Sequence, residues 1–315
     1  MDISIIVPNY NGEALLEENI PKITDAVDGY KKGKIEIIIP DDGSTDRSIP
    51  VIHELIRKNK HKAIAIRYVE NRKNKGFSGN VNSGVKLATG DILLLLNTDI
   101  IPRKGFLEPL LTHFADENVF GVGCVDESIE KGTTVLRGRG LGAWKRGFLV
   151  HRAGVVTKTN TLWVSGGSSA FKKAIWDKLG GLDALYNPFY WEDIDLSYRA
   201  KKAGYTVVIE PKSRVIHEHE KGSIQTSQKP FHIRKIAFRN QFFFVWLNIT
   251  DMYFILSHIF WLPVYLIKTL ISGDSAFLFG FLSALGRLPE VLRHRKRLKR
   301  LSIKTDRDVI ATASE

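Results

Sequence analysis

The sequence predicts an α/β fold: a mostly parallel sheet covered by helices on both faces, followed by a helical, membrane-associating C-terminal region. Three observations carry this. Short β-branched apolar runs alternate with helix-like stretches over residues 1 to about 125, the pattern of strands joined by helical crossovers. Polar and acidic residues follow those runs, at the strand ends where open α/β sheets bind ligands. From Phe231 the composition turns apolar and aromatic, then basic.

The elements follow in order. Strands are predicted at residues 3–7, 35–39, 63–69, 92–96 and 119–125, with helices near 14–27, 47–60, 79–89 and 105–115. Residues 126–161 are Gly-rich and basic and read as a mobile loop with short strands. A strand near 162–165, a Gly166-Gly167-Ser168-Ser169 turn and helices near 172–179 and 190–203 come next, then strands at 206–209 and 214–217. Residues 242–267 carry one charge, Asp251, and 275–286 carry none. Six Lys/Arg then crowd into residues 293–300.

Composition bounds the function. A 315-residue chain that is 43% hydrophobic buries a core, which excludes wholesale disorder. A single cysteine, Cys124, excludes an intramolecular disulfide framework and a Cys-based zinc site and suits a reducing compartment. Of the net charge of +12, residues 228–315 hold fourteen Lys/Arg against six Asp/Glu, a net +8; the first 227 residues keep +4. A strand-like run follows Met1-Asp2 directly, so no signal peptide is expected.

The acidic residues carry the candidate chemistry. A glycine dinucleotide fingerprint and a Walker A loop are both absent after the first strand. Asp99, ending a buried strand, is a natural oxygen ligand for Mg²⁺ or Mn²⁺ holding a diphosphate; equally, Asn97-Thr98-Asp99 can simply cap the next turn. Asp41 and Asp42 are adjacent carboxylates whose repulsion a nucleobase or ribose donor would relieve. Glu192 and Asp193 open a helix, where acids complement the dipole. Asp195 and Arg199 form an i,i+4 pair, whereas Asp193 has no such partner and suits a general base. His217 and His219 end the last strand on one face.

These residues resemble family-2 glycosyltransferases over about residues 3–220. Six motifs stand in the expected order: Val7-Pro8-Asn9-Tyr10-Asn11; Asp41-Asp42-Gly43-Ser44-Thr45-Asp46; the Asn/Gly-rich segment Asn74 to Gly84; Asn97-Thr98-Asp99 in place of an Asp-x-Asp; Gly180-Gly181-Leu182-Asp183; and Trp191-Glu192-Asp193-Ile194-Asp195-Leu196. The resemblance implies a GT-A fold, with 1–225 as catalytic domain (1–125 the nucleotide-sugar half, 126–225 the acceptor half), 226–300 as membrane-associating helices and 301–315 as a polar tail. It implies donor contacts from Pro8, Tyr10, Asn11, Asp41, Asp42, Asn74, Gly76, Asn82 and Asn97, with Tyr10 stacking on the base. It implies metal ligation by Asp99 and His217, and Asp193, beside Glu192, as the base. Asn97 in place of the first Asp removes a charge near the metal. The absence of a Gln-x-x-Arg-Trp motif implies addition of a single sugar, and the general resemblance is to a rhamnosyltransferase-like subgroup.

The expected activity is inverting, metal-dependent transfer from a UDP- or dTDP-linked sugar to a lipid-linked or glycan acceptor in cell-surface polysaccharide synthesis. Two alternatives remain: a sugar nucleotidyltransferase, and an inactive membrane-associated nucleotide-sugar-binding protein. Apolar stretches followed by a basic cluster suit a helix lying in the interface of an anionic membrane. The expected place is therefore the cytoplasm, peripheral on the inner face of the cell membrane. Nucleic acid is not an expected partner, because the basic cluster adjoins apolar rather than polar sequence. The sequence leaves the oligomeric state open.

Overall fold

The computed structural model describes residues 1–59, 64–130, 132–217 and 229–313. The first half is built from β1 (Ile3–Ile6), α1 (Glu13–Val27), β2 (Ile35–Asp41), α2 (Ser48–Asn59), β3 (Ala65–Glu70), α3 (Gly76–Val85), β4 (Ile92–Leu96), β5 (Ile100–Pro102) and α4 (Leu107–Thr112). The second half contains β6 (Val119–Glu130), β7 (Thr133–Arg137), β8 (Gly140–Lys145), β9 (Phe148–Ala153), β10 (Ser168–Lys172), α5 (Lys173–Leu179), α6 (Glu192–Lys202) and β11 (Thr206–His217). The C-terminal helices are α7 (Pro230–Asn248), α8 (Met252–Ser272), α9 (Ala276–Leu285), α10 (Leu288–Lys299) and α11 (Asp306–Ala311).

One sheet runs in the order β3-β2-β1-β4-β10-β6-β11-β5, with β7 joined to β6. The strands β3, β2, β1 and β4 are mutually parallel, and β10 lies antiparallel between β4 and β6. Because strand side chains alternate, the apolar runs divide between the two faces. Ile3, Ile5, Ile37, Leu94 and Leu96 pack under α1, α2 and α4, while Ile6, Ile38, Leu93 and Leu95 pack with Val81, Trp176 and Leu196. Near-continuous burial on both sides explains why these strands read as unbroken apolar runs. The polar exceptions, Ser4 and Glu36, satisfy each other at 2.7 Å, and Glu36 also accepts from Thr89.

The second half is more regular than its composition suggested. Residues 126–161 are largely strand: β6 continues through Glu130 into a hairpin with β7, and β8 pairs with β9. Residues 162–165 form no strand; the strand of this region is β10, which starts at Ser168 and lies inside the sheet. The two short strands expected at 206–217 are one strand with a register shift between Ile209 and Arg214.

The apolar run 242–267 is broken between α7 and α8. The carboxylate of Asp306 causes this locally, accepting from the backbone N–H groups of Thr250 (2.6 Å) and Asp251 (2.7 Å). Helix α7 is not a separate layer. Phe242, Phe243, Phe244 and Leu247 share one core with Phe148, Leu162, Tyr186, Trp191, Ile194 and Tyr198. The expected domain boundary at 225/226, and His219, lie outside the described residues.

Candidate active site

Two polar clusters line the carboxyl ends of the parallel strands. The first joins the ends of β1, β2 and β3. Asn9 Nδ2 donates to Asp41 Oδ1 (2.7 Å), and Ser44 donates to Asp41 through both its N–H (2.9 Å) and its Oγ (2.6 Å). Asp42 accepts from Asn71 Nδ2 (3.1 Å) and from the Lys75 N–H (2.9 Å). Asn71 also donates to Asn80 Oδ1, whose own amide reaches the carbonyls of Asn9 and Pro40. Burial pushes the Asp42 carboxyl up, against the donors from Lys75, Asn71 and Gly76.

The donor residues expected from sequence fall into two groups. Tyr10 is 45% exposed beside this cluster, free to present its ring. Asn11 sits at φ +50 and accepts from the Thr45 N–H (2.7 Å), and Pro8 lies between it and the β1 strand. By contrast, Asp41 is saturated by the chain. Asn74 accepts from the Gly76 N–H (2.9 Å), so it shapes the turn into α3. Asn82 clamps Leu182 through both its amide nitrogen (2.7 Å) and its oxygen (3.2 Å). Gly76 has φ +69, and a Cβ there would strike Asn187. A donor that reaches Asp41, Asn74 or Asn82 therefore meets residues that already hold the chain.

The second cluster joins β4, β6, β10 and β11. The Asn97–Asp99 turn is fixed by Asn19, which donates to the Thr98 carbonyl (2.8 Å), and β5 then pairs Ile100 with His217. This brings His217 Nε2 to 3.4 Å from Asp99 Oδ2. On its other side, His217 Nδ1 lies 3.5 Å from Asp126 Oδ2. Burial opposes charge on this ring, yet Asp126 and Asp99 together raise His217 to about 9. Among the described residues, Asn97 Oδ1, Asp99 Oδ1, Asp126 Oδ1 and the hydroxyls of Ser128, Ser168 and Ser169 are buried without hydrogen-bond partners. Asp126 was missed in the sequence because the strand was ended at Val125; the acid following an apolar run was the available signal.

Asp99 and His217 form a hard-oxygen and imidazole pair that suits Mg²⁺ or Mn²⁺, and the orphaned Asp99 oxygen fits such an ion. Among the described residues, no three His, Cys, Asp or Glu side chains are arranged to hold a metal alone. The remaining coordination would have to come from substrate oxygens and water.

Gly166 and Gly167 connect this edge to the acidic pair. The Asn97 N–H donates to the Gly167 carbonyl (2.9 Å), and the Gly166 N–H points at Asp193 Oδ2 (3.4 Å). A Cβ on Gly167 would lie 2.5 Å from Asn97 Nδ2, so only glycine allows the approach. Asp193 also accepts from the Ile194 N–H (2.8 Å), whereas Glu192 Oε2 is buried without a partner among the described residues. Burial, with the Asp193 charge adding to it, pushes Glu192 well above the usual carboxylate range; burial also raises Asp193, against its backbone donors. Asp193, with two backbone donors, is the better seat for the negative charge. Asp195 is structural, held by Arg199 (2.7 Å), Asn248 (2.7 Å) and Tyr186 (3.0 Å).

The acidic pair is presented by a strained turn. Tyr190 and Trp191 have φ +69 and +78, a conformation costing of order 1–3 kcal/mol per residue that persists only where the surroundings enforce it. Here α7 enforces it. The fully buried Asn240 amide donates to the carbonyls of Tyr186 (2.7 Å), Phe189 (2.9 Å) and Tyr190 (2.9 Å). Arg239 reaches the Asn187 carbonyl and Asn240 Oδ1. Neither residue was singled out in the sequence, where the segment reads only as apolar with scattered polar positions.

The family model "Glycosyl transferase family 2" matches residues 4–180, more than half the chain. The chain belongs to this family. It is 33% identical over 100 residues to a dolichol-phosphate mannosyltransferase of Pyrococcus furiosus, covering 32% of this chain and 26% of that protein. It is 26% identical over 219 residues to the pre-mycofactocin glycosyltransferase of Mycobacterium tuberculosis, covering 69% and 43%. The chain thus spans less than half the length of these curated relatives. Among solved structures, a mannosyltransferase of Pyrobaculum calidifontis in complex with GDP-Man and Mn²⁺ superposes with a TM-score of 0.56 at 18% identity, covering 95% of this chain and 84% of that one. The family-2 chain therefore has the GT-A fold.

Proposed function

We propose that this family-2 chain transfers one sugar from a nucleotide diphosphate sugar to a hydroxyl of a lipid-linked or glycan acceptor, with inversion. The observation carrying this reading is the convergence of Asp99 and His217 with Glu192 and Asp193 across the Gly166-Gly167 bridge. Asp99 and His217 would hold Mg²⁺ or Mn²⁺, which when bound neutralises charge on the leaving diphosphate. Asp193 takes the acceptor hydroxyl proton as that oxygen attacks the anomeric carbon, and one displacement inverts the centre. Glu192, protonated, adds no second charge to the attacking side. Tyr10 offers a face to the base, and the Asp42 region lies beside it. The names of the mannosyltransferase relatives support nucleotide-linked donors and lipid-linked acceptors. The test is nucleotide release from a panel of UDP-, dTDP- and GDP-linked sugars, dTDP-rhamnose included, with and without Mn²⁺. Release with no donor, in protein shown to be folded, sinks the reading.

The proposed setting is the inner face of the cell membrane, in cell-surface polysaccharide synthesis. Helix α8 packs one side on the protein through Phe254 and His258 and turns Tyr253, Leu256, Ile259, Phe260, Ile267 and Ile271 outward. A helix seated this way suits lying in the interface better than crossing the bilayer. Of the basic cluster, Arg295 is spent on the carbonyls of Trp246 and Ile249 and His294 on Asp183; Arg293, Lys296, Arg297, Lys299 and Arg300 remain exposed. Wild type should co-sediment with anionic liposomes, be partly released by salt, and lose binding in Phe260→Glu/Ile267→Glu. Equal pelleting with neutral vesicles at every salt concentration would speak for a span.

A further inference from the structure

A cavity of about 160 Å³ lies where the end of α6, the start of β11 and the C-terminal segment meet. Its walls include Val207, Val208 and Val309, and Lys201, Lys304 and Thr312 line it as well. Lys201 is only 6% exposed, and its Nζ makes one hydrogen bond, to Thr312 Oγ1 at 3.0 Å. Among the described residues no carboxylate forms an ion pair with it. Its neighbour Lys202 shows the contrast: equally buried, it is paired with Asp306 at 2.9 Å and bonded to Thr250. Asp308, on the same segment as Lys304, is committed to the capping box of Thr305. A buried ammonium without a counter-charge is unfavourable, and burial, with the Lys304 charge adding to it, holds Lys201 down to about 8. Such a cost is offset when an anion enters.

We infer that this cavity binds a small oxyanion of phosphate type, held by the ammonium groups of Lys201 and Lys304. The site is separate from the sugar-transfer chemistry. It lies by Thr206 at the start of β11, whereas His217 ends the same strand. An anion there would tie α6, whose first turn carries Glu192 and Asp193, to the segment bearing Lys304 and Thr312. The chemistry fits free phosphate and the phosphomonoester head of a lipid alike.

The test is calorimetry on the full chain without divalent metal, using inorganic phosphate and, separately, short-chain phosphatidate below its micelle concentration. Wild type should bind one equivalent of phosphate. Lys201→Met should weaken binding by about tenfold or more, the loss of one charge-assisted contact, and Lys304→Met, an exposed change that spares folding, should weaken it too. Tighter binding of phosphatidate with the same loss in Lys201→Met identifies a lipid head as the source; tighter binding of phosphate identifies the free ion. Absence of saturable binding of either probe to wild type overturns the inference. So does undiminished binding by Lys304→Met together with a folded Lys201→Met.

Discussion

The carboxylates at the end of β2 and those just after β4 and within β6 belong to one sheet, yet their surroundings differ. Asp41 and Asp42 are tied to Asn9, Ser44, Asn71 and the Lys75 backbone. Among the described residues, Asp99 and Asp126 each keep a buried oxygen with no partner, as do Asn97, Ser128, Ser168 and Ser169 around them, whereas the first cluster leaves one such atom, Asn9 Oδ1. Buried polar groups are satisfied in most proteins, so a concentration of orphans marks where something else binds. The first cluster is tied into the chain by its own side chains. The second, in the proposed function, is the surface that meets ligand atoms. Similar acids in the sequence thus end in different surroundings in the fold.

The largest effect expected is at the open side. Asp193→Asn should keep nucleotide binding and lose transfer by ~10²–10⁴-fold, the usual cost of removing a general base. Single-turnover transfer and nucleotide titration separate the two. If Glu192→Gln is crippled and Asp193→Asn is not, the base is the neighbouring residue and the proton assignment is reversed.

Next in size is a pair of substitutions that sets the clusters against each other. Asp41→Ala leaves both Ser44 donors without their acceptor and the Asn9 amide with only its longer contact to Ser44 Oγ (3.3 Å), at a cost of about 3 kcal/mol. Asp99→Asn removes a carboxylate whose Oδ1 has no partner among the described residues and whose Oδ2 makes only the 3.4 Å contact with His217, so it should lower the melting temperature less than Asp41→Ala does while Mn²⁺-dependent nucleoside diphosphate binding disappears. Thermal unfolding and calorimetry on both proteins decide this. Equal destabilisation in the two would erase the distinction between scaffold and open surface.

Much of this was legible in advance. The strands β1, β2 and β4 are buried on both faces, so their apolar runs announced them. The acids Asp99, Glu192 and Asp193 stood out because each follows or opens a regular element. The saturation of Asp41 and Asn82 was not legible, because partners such as Leu182 lie 100 residues away in the chain and meet Asn82 only in the fold. Asp126 was hidden by a strand that runs five residues beyond its apolar stretch. Asn240 was hidden for another reason: its three acceptors are backbone carbonyls, which leave no trace in side-chain pattern.

The smallest effect expected is in the pH dependence of stability. Burial holds the carboxyl groups of Glu192 and Asp193 above their ordinary values. The folded state therefore keeps a proton that the unfolded chain releases once pH passes the usual carboxylate range. Where the folded state binds more protons, stability falls as pH rises. This pair should thus subtract from stability between the ordinary glutamate value and its own raised one, opposite to the salt-bridged acid Asp306, whose pairing with Lys202 lowers it despite burial. Glu192→Gln cannot ionise and should flatten that decline, so its melting temperature should gain on wild type from pH 5 toward neutrality. Asp193→Asn should do the same to a smaller degree, because two backbone N–H groups already favour its charged form. Melting curves of the three proteins across that range test the point. A wild-type advantage that grows with pH would mean that Glu192 is ionised and paired in solution, and the acid pair would then belong with the satisfied scaffold rather than the open surface.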